Sequence, residues 1–241
     1  MAKKKFPEDK LLEQEYLDLE NDFKPKPPSV KEKVAEKFSG ATRQVLIGLK
    51  FVIGLSLLPF VFSGTGAFLS EFARIESASQ RYFWAGVVTF LVAYLFIWEP
   101  GFLYTRGQKV LAALFSFFTP LVKVAPSVVP IYTLIVCGLY GIFSLGIKEA
   151  WLLDYCMVLS GFFMALHLVF SAKSVRSKKG DFLKSNYIFS FSFIYLINLI
   201  LFSSCLNLIF QDYSLLHFLN TTYQGAHSVL WAVFKQLFIR A

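Results

Sequence analysis

Five stretches of the chain carry no charged side chain: residues 51–70, 82–98, 124–147, 155–172 and 187–210. Each is close to the roughly 17 to 25 residues that a helix needs to cross a hydrocarbon layer about 30 Å thick. Lipid offers no partner to a free backbone N–H or C=O, so segments this apolar cross as helices. The sequence therefore predicts an all-α, polytopic membrane protein with about five transmembrane helices. Gly54, Pro59, Gly86, Pro126, Pro130, Gly138, Gly141 and Gly161 lie inside these runs. They would weaken a soluble helix but are common in membrane ones.

Charge supports the same reading. Of 24 Lys and Arg and 16 Asp and Glu, the first 50 residues hold 11 and 9, which leaves 20 charged groups for the other 191 residues. A chain of this size that is 56% hydrophobic cannot hide so much Phe, Leu and Ile in water and still cover its surface with polar groups. The net charge of +8 does not point to nucleic acid, because the basic residues flank apolar segments and lack the aromatic or glycine signatures of nucleic-acid modules. Cys137, Cys156 and Cys205 are odd in number and lie in apolar surroundings, so they read as reduced core residues rather than a bridge framework. Nothing at the start resembles a cleaved signal peptide, and the N-terminus is expected to stay cytoplasmic.

Two segments are ambiguous. Residues 110–122 are short for a span, contain Pro120 and follow Arg106 and Lys109, which suits one short re-entrant or half-buried helix. With five spans, 19 of the 24 Lys and Arg fall on the inner side; if 110–122 also crossed, the number would drop to 16. The five-span arrangement follows the positive-inside tendency better. Residues 213–234 are uncharged but carry His217, Asn220, Gln224 and His227, and are expected to form an interfacial amphipathic helix, with a sixth crossing as the alternative. The expected organisation is thus a charged tail over 1–43, a transmembrane domain over 44–211 and an interfacial C-terminal helix over 212–241.

The tail is a different material. Lys24, Pro25, Lys26, Pro27 and Pro28 form a stiff linker, since proline fixes φ and removes a donor. Beyond it, Ser29 and Glu32 have capping-box spacing, and Val30, Val34 and Phe38 recur on one helical face. Before it, Leu12, Tyr16, Leu19 and Phe23 make a second narrow apolar stripe. Such stripes serve either as membrane-surface helices or as a docking arm for a cytoplasmic partner of residues 1–40.

Around the short segment the chain reads Tyr104-Thr-Arg-Gly107-Gln108-Lys109-Val-Leu-Ala112. This frame resembles the catalytic helix of bacterial site-2-protease-like intramembrane zinc metalloproteases, in which a Tyr-x-x-Gly lead precedes His-Glu-x-x-His. Two apolar runs precede the lead, Ala125-Pro126 with Pro130, Ile131, Tyr132 and Thr133 is similar to a proline-bearing span, and 161–167, Asp181, Ser190 and Asn198 are similar to a later helix pair. In the family motif the two histidines bind zinc on one helical face and the glutamate is the general base of the metal-bound water. Here those positions are Gln108, Lys109 and Ala112. Gln is a poor zinc ligand, Ala has no donor atom, and Lys brings positive charge where a proton acceptor is needed. Asp181 would correspond to the third ligand, with nothing to complete. The resemblance thus implies the fold of a metalloprotease without catalytic residues, metal or other cofactor.

Four residues are candidates for binding. His167 shares a stripe with Ser160, Met164 and Ser171 that should face other helices, and an ionisable group in a span is a functional candidate because it is costly there. Its plain alternative is a neutral imidazole bonded between helices. Asn198, on one face with Ser190, reads as interhelical glue of about 0.6 kcal/mol per bond. Ser160 and Asp181 complete the set. The expected function is a non-catalytic pseudoprotease of the bacterial inner membrane that contacts lipid and holds transmembrane client proteins. The alternatives are a small transporter or channel whose path is lined by Ser160, His167 and Asn198, and an accessory subunit of a membrane complex.

Overall fold

In the computed structural model the described residues are 30–97, 99–117, 125–146, 149–177 and 187–239. The chain divides into two compact units, Met1–Leu46 and Ile47–Ala241. In the first, residues 30–46 are helical. Ser29, the 24–28 linker and the Leu12 stripe lie outside the described residues.

The described residues of the second unit are mostly helical, and its first helix begins within the first unit. Helix α1 covers Val30–Phe72, α2 Ser77–Val92 with a π-helical turn over Ala93–Ile97, α3 Gly101–Leu114, α4 Ile131–Phe143, α5 Ala150–Ser177, α6 Tyr187–Ile209 and α7 Leu215–Phe238. Among the described residues four stretches have the length and composition to cross a membrane: Gly48–Phe72, Ser77–Ile97, Trp151–Arg176 and Tyr187–Ile209. Phe62, Phe96, Phe117 and Leu208 stand 75% or more exposed, which water would penalise and hydrocarbon does not. This is a multi-pass membrane protein in contact with lipid.

Residues 124–147 do not form one long helix. A single helical turn over 125–128 is followed by a break, and α4 starts only at Ile131, 13 residues or about 20 Å long. Pro130 lacks a donor and disfavours helical geometry at Val129, so the ladder cannot run through. The short helix expected over 110–122 lies earlier, at Gly101–Leu114, and takes in Arg106 and Lys109.

Close backbone contacts set the bundle. A Cβ on Gly86 of α2 would stand 1.9 Å from the Val158 carbonyl oxygen of α5, and one on Gly161 of α5 would stand 2.1 Å from that of Phe83. Small residues here let the two backbones touch. Gly54 brings α1 close to α6 as well, with a Cβ 2.8 Å from the Phe189 nitrogen. At one end Phe68, Phe72, Phe83, Met157, Phe202 and Tyr213 form the largest apolar core. Phe90, Tyr104, Leu166 and Phe170 form another toward the opposite end of α5.

Helix α7 runs antiparallel beside α1. Glu71 of α1 meets Ser214 and His217, whereas Ser63 meets Thr222 and Gly225. Moving down α1 by eight residues thus moves up α7 by about as many, a parallel-sided contact of at least 12 Å at 1.5 Å per residue.

Candidate functional site

Three separate pieces of sequence meet around one small cavity. Tyr104, Gly107, Gln108 and Leu111 come from α3, Pro126, Pro130, Ile131 and Tyr132 from the proline-broken segment and the start of α4, and Phe163, Leu166 and His167 from α5. The space left between them is about 10 Å³, room for one water at most.

The polar groups here are engaged with a broken backbone. Ser171 Oγ donates to the Ser127 carbonyl at 3.0 Å, lies 3.2 Å from the Tyr104 hydroxyl and lies 3.2 Å from His167 Nε2. A serine has one proton to give. With that proton on Ser127, the oxygen accepts from Tyr104 O–H and from His167 Nε2–H, which places a proton on His167 Nε2. The ring is also in reach of the Ser127 and Val128 carbonyls, and the Gln108 amide is in reach of the Tyr104 hydroxyl. From α6, Asn198 Nδ2 donates to Val128 O at 2.9 Å and to Ile194 O at 2.7 Å. The Ser127 and Val128 carbonyls, left without helical partners by the break at 129–130, are thus satisfied by side chains of neighbouring helices, the condition under which irregular backbone survives inside a membrane bundle.

The Tyr-x-x-Gly lead has a packing role in this arrangement. Tyr104 reaches Ser171, and Gly107 admits the Tyr132 ring, which a Cβ would approach to 2.8 Å, while Tyr132 O–H donates to Leu103 O at 2.9 Å. Of the three motif positions, Gln108 lines the cavity, Lys109 is exposed, and Ala112 is half-buried and outside the lining. Among the described residues no three His, Cys, Asp or Glu side chains form a metal-ligating group.

The remaining candidates separate. Ser160, Met164, His167 and Ser171 are all buried, so the stripe does face other helices. Ser160, however, sits two turns from His167 and contacts Cys137 and Cys156 instead. Asn198 joins the His167 neighbourhood through Val128. Its Oδ1, together with Ser190 Oγ and Thr133 Oγ1, is buried without a hydrogen-bond partner. Asp181 lies outside the described residues. Glu99, just before α3, pairs with Lys173 of α5, and Arg106 stands 5.5 Å from the Phe102 ring centre.

One polar group was not anticipated. Glu71, fully buried at the end of α1, accepts from Arg74 Nη2 at 3.2 Å, His217 Nδ1 at 2.6 Å and the Ser214 N–H at 3.3 Å. The lone acid closing an apolar run, three residues before an arginine, was its only trace in the sequence.

No family model, curated protein or solved structure matches the chain.

Proposed function

We propose that this is a non-catalytic protein of the bacterial cytoplasmic membrane, its N-terminus cytoplasmic, that keeps the helical frame of a site-2-protease-like metalloprotease and binds a transmembrane partner. The observation that carries the reading is the employment of the polar groups where a metalloprotease would hold its ion. His167, Ser171 and Asn198 hold the backbone of residues 127–128, and Gln108 faces a cavity of about 10 Å³. A zinc-bound water and a peptide need more space and more ligands than that. Orientation rests on the cations: with the 124–147 stretch crossing through its broken helix, the basic residues Lys173 and Arg176 at the end of α5 fall on the same side as the tail.

The test is metal and partner analysis on the full chain purified in lipid. Less than one zinc per ten chains and no cleavage of transmembrane peptides are expected, along with photo-crosslinks from lipid-facing positions such as Phe62 and Phe96 to other membrane proteins. One tightly held zinc per chain would overturn the reading.

The transporter alternative has its own support. A proline-broken helix beside a buried, unpartnered Asn198 Oδ1 is the kind of element on which transporters build substrate and ion sites. It requires solute flux in liposomes that changes on His167→Ala. The binding reading requires none.

A further inference from the structure

All three cysteines of the chain come to one place from three different helices: Cys137 from α4, Cys156 from α5 and Cys205 from α6. Ser160 Oγ lies 3.6 Å from Cys137 Sγ and 3.9 Å from Cys156 Sγ. Cys137 and Cys156 thus flank one serine hydroxyl. All three are free, Cys137 and Cys156 buried and Cys205 half-buried. Cys137 and Cys205 also line a cavity of about 550 Å³ whose other walls include Leu134, Tyr140, Leu145 and Leu208. Packing alone asks only for small side chains at these places, which Ala or Ser would supply, and does not ask for one thiol that shares a serine with a second and a cavity wall with a third.

We propose that Cys137 is the shared partner of a dithiol–disulfide centre, bonding to Cys205 or to Cys156, and that its oxidant is a neutral, lipid-soluble acceptor of the quinone class admitted by this cavity. The reaction balances as two thiols plus one quinone giving one disulfide plus one hydroquinone. Two S–H bonds break, one S–S bond forms, and both electrons and both protons pass to the quinone oxygens. A charged oxidant such as glutathione disulfide would have to shed its hydration to reach thiols among apolar side chains, whereas a flat uncharged ring suits a cavity of this size and lining. Thiols that share a serine neighbour or a cavity wall come to bonding distance by side-chain rotation and a small shift of their helices. A bond to Cys205 ties α4 to α6, and one to Cys156 ties α4 to α5. Either would restrain the helix that follows the proline-broken segment. This inference is independent of the proposed function.

The experiment uses the reduced full chain in phosphatidylcholine vesicles, exposed to a short-chain benzoquinone, with thiols counted by maleimide mass-tagging and bonds mapped by peptide mass spectrometry. Wild type is expected to lose two of its three thiols, form one hydroquinone per chain and show Cys137 in every disulfide. Cys205→Ser should move the bond to Cys137–Cys156, and Cys137→Ser and Cys137→Ala should form no intramolecular disulfide. Glutathione disulfide should oxidise wild type at least tenfold more slowly. The proposal is overturned if all three thiols survive the quinone, if they are lost as quinone thioethers with the matching mass gain, if Cys156–Cys205 is the bond mapped in wild type, or if Cys205→Ser keeps both thiols. Equal rates with glutathione disulfide would overturn the choice of oxidant. The wild-type bond map decides the identity of the shared thiol even where a Cys137 variant does not fold.

Discussion

Gly86 and Gly161 show how a single missing methyl sets a helix pair. Each touches a backbone carbonyl of the opposite helix, and neither carbonyl can move without moving its helix. Gly86→Ala and Gly161→Ala are therefore each expected to destabilise the bundle by about 2 kcal/mol, within the range for overpacked cores. The check is a thermal melt of each variant in detergent, where wild-type stability would count against the contact. Ser171 is a second such point. Ser171→Ala leaves the Ser127 carbonyl, the Tyr104 hydroxyl and His167 short of a partner, a loss of about 1 to 3 kcal/mol readable in the same melt. Tyr213 offers a pH test. Its hydroxyl donates to Ser203 Oγ at 2.7 Å, and burial pushes its pKa up to about 12. The folded state thus holds this proton more tightly than the unfolded chain, where tyrosine titrates near 10. The stability it contributes is fully present below about pH 10 and is lost as pH rises toward 12. Tyr213→Phe should flatten the decline in melting temperature between pH 9 and 11 relative to wild type, and an unchanged slope would contradict the assignment. Polar residues inside apolar runs were visible in the sequence, which is how His167, Ser160 and Asn198 came to notice. Their partners were not visible, because backbone carbonyls released by a distant proline carry no signature of their own.

Helix α7 is the element whose tertiary setting says most beyond its composition. Its scattered His, Asn and Gln suggest a helix lying flat at the interface, yet it packs lengthwise and antiparallel along α1. A helix packed along the Gly48–Phe72 part of α1 supports the alternative sixth crossing of residues 213–234, although Leu215–Phe238 lacks the composition of the four candidate spans. The expected outcome is a C-terminus on the same side as the N-terminus, with Lys235 and Arg240 joining the other inner cations. Reporter fusions at residue 241, one active only in the cytoplasm and one only outside it, measure this directly. An external C-terminus would return α7 to the interface. The Glu71 group pins the start of α7, and Glu71→Ala, which strips partners from Arg74, His217 and the Ser214 N–H, should speed labelling of a cysteine placed at Leu216 severalfold. The helices themselves were largely legible, since long uncharged runs permit little else in lipid. The break at Pro130 was marked by the proline, but a run of 24 uncharged residues hides it from any count of hydrophobicity.

At the scale of the molecule, the division between residues 46 and 47 separates a charge-rich unit from one that meets lipid. Removing residues 1–40 should leave the helical content and melting of the second unit unchanged and abolish co-purification of any cytoplasmic partner. Retained partner binding by the truncated chain would place that contact elsewhere. What the sequence determined alone is the class of structure: charge-free runs of membrane length must become helices, because lipid satisfies no backbone group. What only the tertiary structure decided is which side chains meet. The meeting of Gln108, Tyr104 and His167 around one cavity, of Cys137 and Cys156 around Ser160, and of Glu71 with His217 depends on how helices far apart in the chain are packed. That packing is set by glycine contacts and shape fit between surfaces, information spread over many residues and contained in none of the local patterns.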